Sequence, residues 1–525
     1  MILFSLVLAL MIWPGGGQPP EQDAKSRLWV RLQDEQGDPI TARIYLSGAD
    51  GEYRIPEGSL ARGREEQFFH ARGHFQVALP PAKYTIEVVK GFEYYPLNKE
   101  IDLNYLELQD RTTVETIALK RMIDMPGLGW YSGDVHMHPN HREGGLYMTL
   151  GDSQLLAAGE DIRVANLLIS NRQGTTRVFD TEYFLDGAVD PASTEESMMV
   201  VQEEFRNTSG MYGHMPLLGI NKLVQPFFTG LRPNWEDYPS NYTIAKQVQE
   251  MGGVVSYAHP ADEPDIPTEL HVAREFPIDL ALGVVNALDL LSNKDEEAAT
   301  WMYYRVLNCG LKCTASAGTD TQMDVADRDS ISGGGKVYVK LDPPLTYSKW
   351  IEGYRAGRTF VSNGPLLFLD VEGKEPGEEI RFSGSTRLNI SAKALSLVPM
   401  QTLELIVNGE VVARAEPTED GTIANLTHTL ELGDSAWIAA RVWGQGHRLV
   451  MNDSRLFAHT SPVYCYKDGK PVAVPDDAEI VVRWIDRLIE DVKSSPRFAS
   501  ETHRQEVIDL FNKGRRYYEE IATRP

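Results

Sequence analysis

The stretch YSGDVHMHPNH, residues 131–141, holds three of the twelve histidines of a 525-residue chain. Residues two positions apart in a β-strand point to the same face, so His136 and His138 would project together, and Asp134 would join them. Two adjacent imidazoles can bind a metal ion, although such a pair also occurs as ordinary surface polar groups. We therefore interpret the stretch as the end of a strand that carries metal ligands, provided that the rest of the chain supplies more of them.

Further residues of metal-ligand type lie beside other apolar runs between positions 126 and 364. They are Glu203 and Glu204 in EEFRN, His214 in GHMPLLGI, His259 in SYAHP and Asp320 in SAGTD. These strand-like runs alternate with helical stretches such as IAKQVQEMG and EEAATWMYYRVLN, which predicts an α/β domain with mostly parallel strands. The carboxyl ends of the strands in an α/β barrel share one rim, so these residues are expected to converge there.

Short alternating segments and turn signals on both sides of this region predict two further β-rich domains. The predicted organisation is a signal peptide and linker at 1–25, a β-sandwich at 26–122, the α/β domain at 123–364, a second β-sandwich at 365–472 and a helical tail at 473–525. The two predicted tail helices are expected to pack on whatever precedes them. The three cysteines are interpreted as buried structural thiols.

The first residues, MILFSLVLALMIW, form an apolar run of a length typical of a signal peptide. As a helix the run from position 2 to 13 would span about 18 Å, short of the roughly 30 Å hydrocarbon layer, so stable membrane insertion is not expected. The chain is predicted to be exported to the periplasm or the extracellular space. A formal net charge of −24 argues against nucleic acid as a partner.

The ordered motifs GDVHMH, E-x-R followed by GH, AHP and AGTD resemble the PHP superfamily of metallohydrolases, most closely its CehA/McbA-type family. The resemblance implies a distorted (β/α) barrel with two metal ions. One ion would be held by His136, His138, a glutamate and Asp320. The second would be held by the same glutamate, His214 and His259. We take Glu204 as the bridging residue, which leaves Glu203 as an exposed acid or one that supports a ligand.

Many PHP proteins bind a third ion, but two of the imidazoles that it needs are replaced here by Asn171 and Gln322. Two divalent ions are therefore expected, zinc first, with manganese or iron as alternatives. His141 is interpreted as a proton-transfer or substrate-contact residue or as a solvated histidine. Asp134 is expected to accept a hydrogen bond from a ligand imidazole. Arg206 and Arg172 are candidates for binding an anionic substrate oxygen or for surface ion pairs.

The predicted reaction is hydrolysis of an ester-type bond (carboxylic ester, carbamate or phosphoester) in a small molecule or glycan by a metal-activated water. Asp320 or His141 would carry the proton to the leaving group, with Arg206 as a third catalytic candidate. Two alternatives stay open: a non-catalytic metal-containing protein that recognises a glycan or surface partner, and redox chemistry at iron or manganese. The oligomeric state is not indicated by the sequence.

Overall fold

The computed structural model describes residues 26–104, 112–172, 175–326, 331–450 and 455–524. The predicted signal peptide and linker at 1–25 lie outside the described residues. Within these ranges the chain has the predicted mixed α/β architecture, with much of it in β-sheet. No helix in the described ranges is both long enough and apolar enough to cross a membrane.

Two antiparallel-rich sheets form the amino-terminal β-region. Its strands are β1 (Ser26–Asp34), β2 (Thr41–Gly48), β3 (Phe69–Arg72), β4 (His74–Leu79), β5 (Lys83–Val89), β6 (Leu97–Asp102) and β7 (Thr112–Leu119). One sheet has the order β4-β1-β7 and the other β3-β2-β5-β6. Every second side chain of β4 is buried, as expected for a strand with one face in a core. Leu28, Ile44 and Ile86 belong to one hydrophobic cluster shared by both sheets.

The central region contains eleven strands within the described residues. They are β8 (Trp130–His138), β9 (Val164–Ile169), β10 (Met198–Asn207), β11 (His214–Leu218), β12 (Phe228–Thr229), β13 (Val254–Tyr257), β14 (Ala287–Leu291), β15 (Thr314–Ala317), β16 (Thr321–Gln322), β17 (Lys336–Lys340) and β18 (Thr359–Ser362). Its helices are α1 (Leu150–Gly159), α2 (Asn241–Glu250), α3 (Phe276–Ala281), α4 (Glu296–Asn308) and α5 (Tyr347–Arg355).

Most pairings between the central strands are parallel. Parallel pairs join β8 to β9, β9 to β10, β13 to β14 and β14 to β15. β16 follows β15 in the chain and pairs in parallel with β8. Strand β11 departs from the predicted parallel arrangement, because it runs antiparallel to both β10 and β13. Its first residue therefore lies at the same edge as the last residues of the parallel strands.

The carboxyl-terminal β-region contains β19 (Leu366–Val371), β20 (Glu379–Phe382), β21 (Thr386–Leu395), β22 (Thr402–Val407), β23 (Glu410–Ala415), β24 (Ile423–Leu432), β25 (Ala436–Gln445), β26 (Arg455–Thr460) and β27 (Val463–Lys467). Strands β19, β21 and β24 form one sheet. Strand β26 pairs with both β25 and β18, so the other sheet of this region is continuous with the central one.

The chain ends in two antiparallel-packed helices, α6 (Pro475–Ser494) and α7 (Glu501–Ala522). Their apolar faces bury Ile485 and Phe511 in a cluster with Tyr212 and Ile278 of the central region. The helical tail thus packs on the α/β part of the molecule. Cys309, Cys313 and Cys465 are buried free thiols, as predicted.

Candidate metal centre

Six residues from five parts of the central region meet at one edge of its sheet. His136 and His138 end β8, Glu204 lies near the end of β10, and His214 begins the antiparallel strand β11. The other two members follow strands: His259 follows β13 and Asp320 follows β15. These are the residues that the sequence motifs selected. They form two groups whose possible ligand atoms lie within 4.8 Å of one another.

The first group consists of His136, His138 and Asp320. The Nε2 atoms of the two histidines are 3.1 Å apart. Asp320 Oδ1 lies 3.4 Å from Nε2 of His136 and 3.2 Å from Nε2 of His138. A tetrahedral ion with bonds of about 2.0 to 2.1 Å separates neighbouring ligand atoms by about 3.3 Å. The three atoms are therefore spaced as the ligands of one ion would be.

The second group consists of Glu204, His214 and His259. Glu204 Oε1 lies 3.3 Å from His214 Nδ1, and His214 Nδ1 lies 3.2 Å from His259 Nε2. Glu204 also reaches the first group: Oε1 is 3.5 Å from His136 Nε2, and Oε2 is 3.4 Å from His138 Nε2. One carboxylate therefore contacts histidines of both groups.

Two of the ligand atoms, the carboxylate oxygens Glu204 Oε1 and Asp320 Oδ1, are buried and lack a hydrogen-bond partner within the described residues. Buried polar atoms without partners are costly, and lone pairs that converge at ligand spacing are satisfied by a cation. Because the donors are imidazole nitrogens and carboxylate oxygens, the set fits a divalent transition metal. The cluster is thus a candidate site for divalent metal ions.

Backbone carbonyls orient two of the imidazoles. Nδ1–H of His138 donates to the carbonyl of Leu168 at 3.0 Å, and Nδ1–H of His259 donates to the carbonyl of His271 at 3.1 Å. Since a carbonyl can only accept, each contact fixes the tautomer of the neutral ring, in which Nε2 carries the lone pair. In both rings that lone pair belongs to the atom that faces the cluster.

Asp134 does not take the role that the sequence suggested, and that prediction is wrong. Its Oδ1 accepts the backbone N–H groups of His136 and Thr319, each at 3.1 Å. Its Oδ2 accepts the Thr319 hydroxyl at 2.6 Å and the Gly333 N–H at 2.9 Å. The pairing of β8 with β9 is irregular between Asp134 and Met137, which breaks the strict alternation of faces. Asp134 therefore holds the loop before Asp320 and contacts no ligand ring.

Burial and neighbouring carboxylates set the charge of the imidazoles. Burial lowers the pKa of His214 to about 3 and that of His259 to about 4. Burial would also lower the pKa of His138, but the carboxylates of Asp320 and Glu204 outweigh it and raise the pKa to about 9. His214 and His259 are neutral imidazoles near pH 7, the form that binds metal ions.

The two carboxylates of the cluster remain ionised, although Glu204 is buried and Asp320 is partly buried. Burial would raise their pKa values, but Arg206 and His136 hold the pKa of Glu204 well below its usual range. His136 and His138 do the same for Asp320. Each residue therefore offers a charged oxygen to a cation.

The backbone at the centre is strained at non-glycine positions. The φ angles of His259, His271 and Asp320 are 33°, 67° and 50°, in the left-handed region that such residues rarely adopt. Strain of this kind persists only where the surrounding structure enforces it, and it clusters at functional sites. Here it turns two candidate ligands and a neighbouring loop residue towards the same space.

Glu203 lies on the opposite face of β10 from Glu204. Its Oε2 accepts the backbone N–H of Val224 at 2.7 Å, and burial raises its pKa to about 8. The choice of Glu204 agrees with this geometry. The expectation that Glu203 is exposed or supports a ligand is wrong, because the carboxyl is buried away from the cluster.

A cleft of about 410 Å³ opens above the cluster. Its lining includes Arg172, Arg206 and Gln322, which the sequence had indicated, together with four residues that it had not: Leu270, His271, Asn293 and Lys294. Asn293 Nδ2 donates to Asp320 Oδ2 at 3.1 Å. No periodic pattern marks the loops that carry these four residues, so only their position between motifs could have drawn attention to them.

His141 and Arg206 both lie against the candidate ligands. The His141 ring stacks on His138 with 4.2 Å between centroids, is buried and lines the cleft. Arg206 Nε donates to Glu204 Oε2 at 2.6 Å, and this pair is buried rather than on the surface. Asn171 does not line the cleft, and its side chain donates to the carbonyl of Thr175 at 2.9 Å.

No protein-family model matches the sequence, and no curated protein matches it. Among solved structures, the chain is similar to a two-domain protein containing a predicted PHP-like metal-dependent phosphoesterase from Bacteroides vulgatus. That likeness has 12% identity and a TM-score of 0.31, over 64% of this chain and 95% of the other. It is also similar to phospholipase PlaB from Legionella pneumophila, with 16% identity and a TM-score of 0.13, over 19% of this chain and 25% of the phospholipase. The chain thus spans about a quarter of the phospholipase. At these TM-scores the likenesses assign no function to the chain.

Proposed function

We propose that the chain is an exported metal-dependent hydrolase of the PHP type, related to the CehA/McbA family, that cleaves an ester-type bond. The observation that carries the proposal is the Glu204 carboxylate, which contacts histidines of both ligand groups. In this proposal His136, His138, Asp320 and Glu204 hold one divalent ion, and Glu204, His214 and His259 hold a second. Divalent ions held in this way supply an activated water near neutral pH and polarise the bond under attack.

The open side of the second group favours catalysis over a structural metal site. Structural zinc sites are closed by four protein ligands, whereas catalytic sites keep a position for water or substrate. The second group offers three protein donors, and two of them, His214 and His259, line the cleft. A substrate in the cleft would therefore reach the side of the cluster that protein atoms leave open.

Cationic side chains would hold the substrate. Arg206 lines the cleft and is fixed in place by its hydrogen bond to Glu204. Arg172 lines the same cleft and has no described side-chain partner, so its guanidinium can bind a substrate oxygen. Lys294 is already paired with Asp262, at 2.6 Å and 2.7 Å from its two carboxylate oxygens. The two arginines are therefore the groups that we assign to substrate binding.

Two residues are placed to move a proton to the leaving group. Asp320 is ionised and lies in the cleft wall, with its Oδ2 held by Asn293. His141 Nε2 is buried and has no partner within the described residues, although the residue lines the cleft. Either atom can exchange a proton with a group bound in the cleft.

The cleft volume of about 410 Å³ is that of a pocket for a small molecule or for the end group of a glycan. The substrates we propose are carboxylic esters, carbamates and phosphoesters. Each presents an oxygen that a cation can polarise and that a guanidinium can bind.

Metal content tests the ligand assignment directly. The purified chain should contain about two divalent ions after incubation with zinc or manganese, by elemental mass spectrometry. Glu204→Gln should reduce this to below about one, since both groups lose their shared anion. Glu203→Gln is the matched control and should leave the content unchanged, because Glu203 is adjacent, buried and directed to Val224. A metal-free wild-type chain, or equal metal contents in the two variants, would contradict the assignment.

Hydrolysis tests the reaction. The metal-loaded chain should cleave at least one member of a panel of aryl carboxylic esters, aryl carbamates and phosphoesters. Glu204→Gln should lower kcat/KM on the order of 100- to 1000-fold, the scale seen when a transition-state contact is removed. Glu203→Gln should retain wild-type rates. Binding of metal without cleavage of any panel member would instead support a non-catalytic metal-containing protein.

A further inference from the structure

Arg62 belongs to the amino-terminal β-region and is held on a narrow turn. Its N–H donates to the carbonyl of Phe68 and its carbonyl accepts the N–H of Phe68, each at 2.9 Å. Gly63 has a φ of 83°, and a Cβ there would lie 2.3 Å from the carbonyl oxygen of Glu66. Only glycine fits this position, so the turn has one compact shape and projects Arg62 in a defined direction.

The turn reaches across the boundary into the central region. Arg62 is 4% exposed, and its Nη1 donates to the carbonyl of Met323, three residues beyond Asp320. The N–H of Gly63 donates to the carbonyl of Ala326 at 2.9 Å. Burial lowers the pKa of Arg62 to about 10, which leaves the guanidinium charged near pH 7. A charged donor therefore holds the backbone of the segment 323–326.

The same segment supports two residues of the candidate metal centre. The N–H of Met323 donates to the carbonyl of His138 at 2.9 Å. Oδ2 of Asp324 accepts the N–H groups of His141 and Arg142, at 2.8 Å and 2.6 Å. Gly145 lies against Asp324 so closely that a Cβ there would be 2.9 Å from its carbonyl oxygen. The loop after β8 is thus wrapped around Asp324.

We propose that Arg62 is a positioning residue for the metal centre. Through Met323 and Asp324, it fixes the strand end and the loop that carry His138 and His141. The amino-terminal β-region is then a structural part of the site, rather than a separate module. This inference rests on the proposed function for its catalytic meaning, whereas the mechanical link from Arg62 to the loop can be tested without metal.

Hydrogen–deuterium exchange of the metal-free full chain tests the link. Arg62→Met keeps the side-chain length and removes every donor, so it should raise deuterium uptake in residues 137–148 and 320–326. Asp324→Ala should raise deuterium uptake in the same two segments, and it serves as the reference for loss of this link. Residues 198–218, which carry Glu204 and His214, should be unchanged. A rise confined to residues 60–68, or spread evenly over the chain, would overturn the inference.

Arg54→Met is the matched control, because Arg54 pairs with Asp50 inside the amino-terminal β-region, at 2.5 Å. It should leave uptake at 137–148 unchanged. Arg62→Lys keeps the charge with fewer donors and should give an intermediate rise. If Arg62→Met does not fold, the lysine variant decides: uptake at 137–148 equal to that of Arg54→Met would overturn the inference.

A zinc titration separates this inference from the proposed function. Arg62→Met should weaken zinc affinity about tenfold, as removal of a group that supports a ligand does, and Arg62→Lys should recover part of it. If the wild-type chain binds neither zinc nor manganese, the proposed function fails, and the exchange pattern still decides the role of Arg62. If zinc binds and Arg62→Met changes neither affinity nor exchange, the inference fails and the proposed function stands.

Discussion

Glu204 and Glu160 are both buried carboxylates that contact histidine, but they lie in different kinds of cluster. Glu160, just after α1, accepts a hydrogen bond from His70 Nε2 at 2.6 Å and lies 3.4 Å from Arg43 Nη1. Its backbone carbonyl accepts Lys336 Nζ at 2.5 Å. The contacts with His70 and Arg43 join the amino-terminal β-region to the central region, and the cations come from the protein itself.

The Glu204 cluster has one arginine but gathers four imidazoles and a second carboxylate. Its carboxylate oxygens include atoms without a hydrogen-bond partner in the described part of the chain, namely Glu204 Oε1 and Asp320 Oδ1. Both oxygens of Glu160, by contrast, contact a protein donor. Burial and ionisation of a carboxylate therefore do not by themselves indicate a metal site. A metal site is indicated instead by ligand atoms without hydrogen-bond partners that lie at ligand spacing beside a cleft.

The largest expected effect on stability lies in the Glu160 cluster. Glu160→Gln leaves Arg43 buried beside a neutral amide, so the free energy of unfolding should fall by about 3 to 5 kcal/mol. Urea denaturation of the metal-free chain measures the change. Metal content per folded chain should stay at the wild-type value, because Glu160 is not one of the ligands. A decrease smaller than about 1 kcal/mol would contradict the interpretation that Glu160 is the charge partner of buried protein cations.

Added metal should stabilise the folded protein by binding to the Glu204 cluster. Zinc at 100 times its dissociation constant should raise the free energy of unfolding of the wild-type chain by about 2.7 kcal/mol, if one site dominates. His259→Ala should gain less, because the second group loses a donor, whereas Glu160→Gln should gain as much as wild type. Denaturation curves with and without zinc give the three increments. Equal increments in wild type and His259→Ala would remove His259 from the ligand set.

A pH-dependent effect on stability is expected from Glu93, a buried carboxyl of the amino-terminal β-region. Burial and the neighbouring Asp161 raise the pKa of Glu93 from 4.5 to about 8, against the opposing effect of Arg121. A carboxyl whose pKa is raised in the folded state contributes its full stabilisation of the fold below pH 4.5. This contribution is lost as the pH rises through 8. In wild type, the free energy of unfolding should therefore decrease by at most about 1.4 kcal/mol per pH unit in this window because of Glu93, and Glu93→Gln should abolish this decrease.

Unfolding free energies of wild type and Glu93→Gln at pH 5, 6, 7 and 8 would measure this difference. The difference between the two chains, rather than either slope alone, isolates Glu93, because His138 also titrates in the metal-free protein. Parallel curves for the two chains would show that Glu93 ionises normally in the folded state.

The smallest expected effect concerns Arg206. Arg206→Lys keeps a cation near Glu204 but replaces a planar group with several donors by a single ammonium. We expect kcat/KM to fall about tenfold, a cost near 1.4 kcal/mol, with metal content unchanged. Steady-state kinetics on the metal-loaded variant tests this. A loss as large as that of Glu204→Gln would instead make Arg206 essential to the ligand arrangement.

The candidate ligands were accessible from the sequence because each lies in a short local motif. Alternation in a strand brings His136 and His138 together, and the same rule separates Glu204 from Glu203. The strand ends then meet because the sheet gathers them at one edge. His214 fits this logic for a reason that the sequence did not supply, since it begins an antiparallel strand rather than following a parallel one.

Three features depend on structure that no local pattern records. The irregular pairing of β8 redirects Asp134, so strand alternation fails there. His271, whose own backbone is left-handed, lines the cleft from a loop, and a loop has no periodic sequence pattern that would predict this position. Arg62 contacts Met323 across 261 positions of the chain, and contacts at that distance follow only from the docking of two regions. These three features could not be predicted from the sequence because each depends on tertiary structure.

The pairing of β18 with β26 has a practical consequence for anyone who wishes to produce the central region alone. Val361 pairs with His459 across this junction, and the neighbouring Phe360 packs its ring on Trp130. Cleavage of the chain after residue 364 would strip one side of β18, leaving its amide and carbonyl groups without their β26 partners. Exposed strand edges beside apolar side chains recruit other chains, so the shortened protein should aggregate. Fragments for crystallisation or activity assays should therefore retain the carboxyl-terminal β-region.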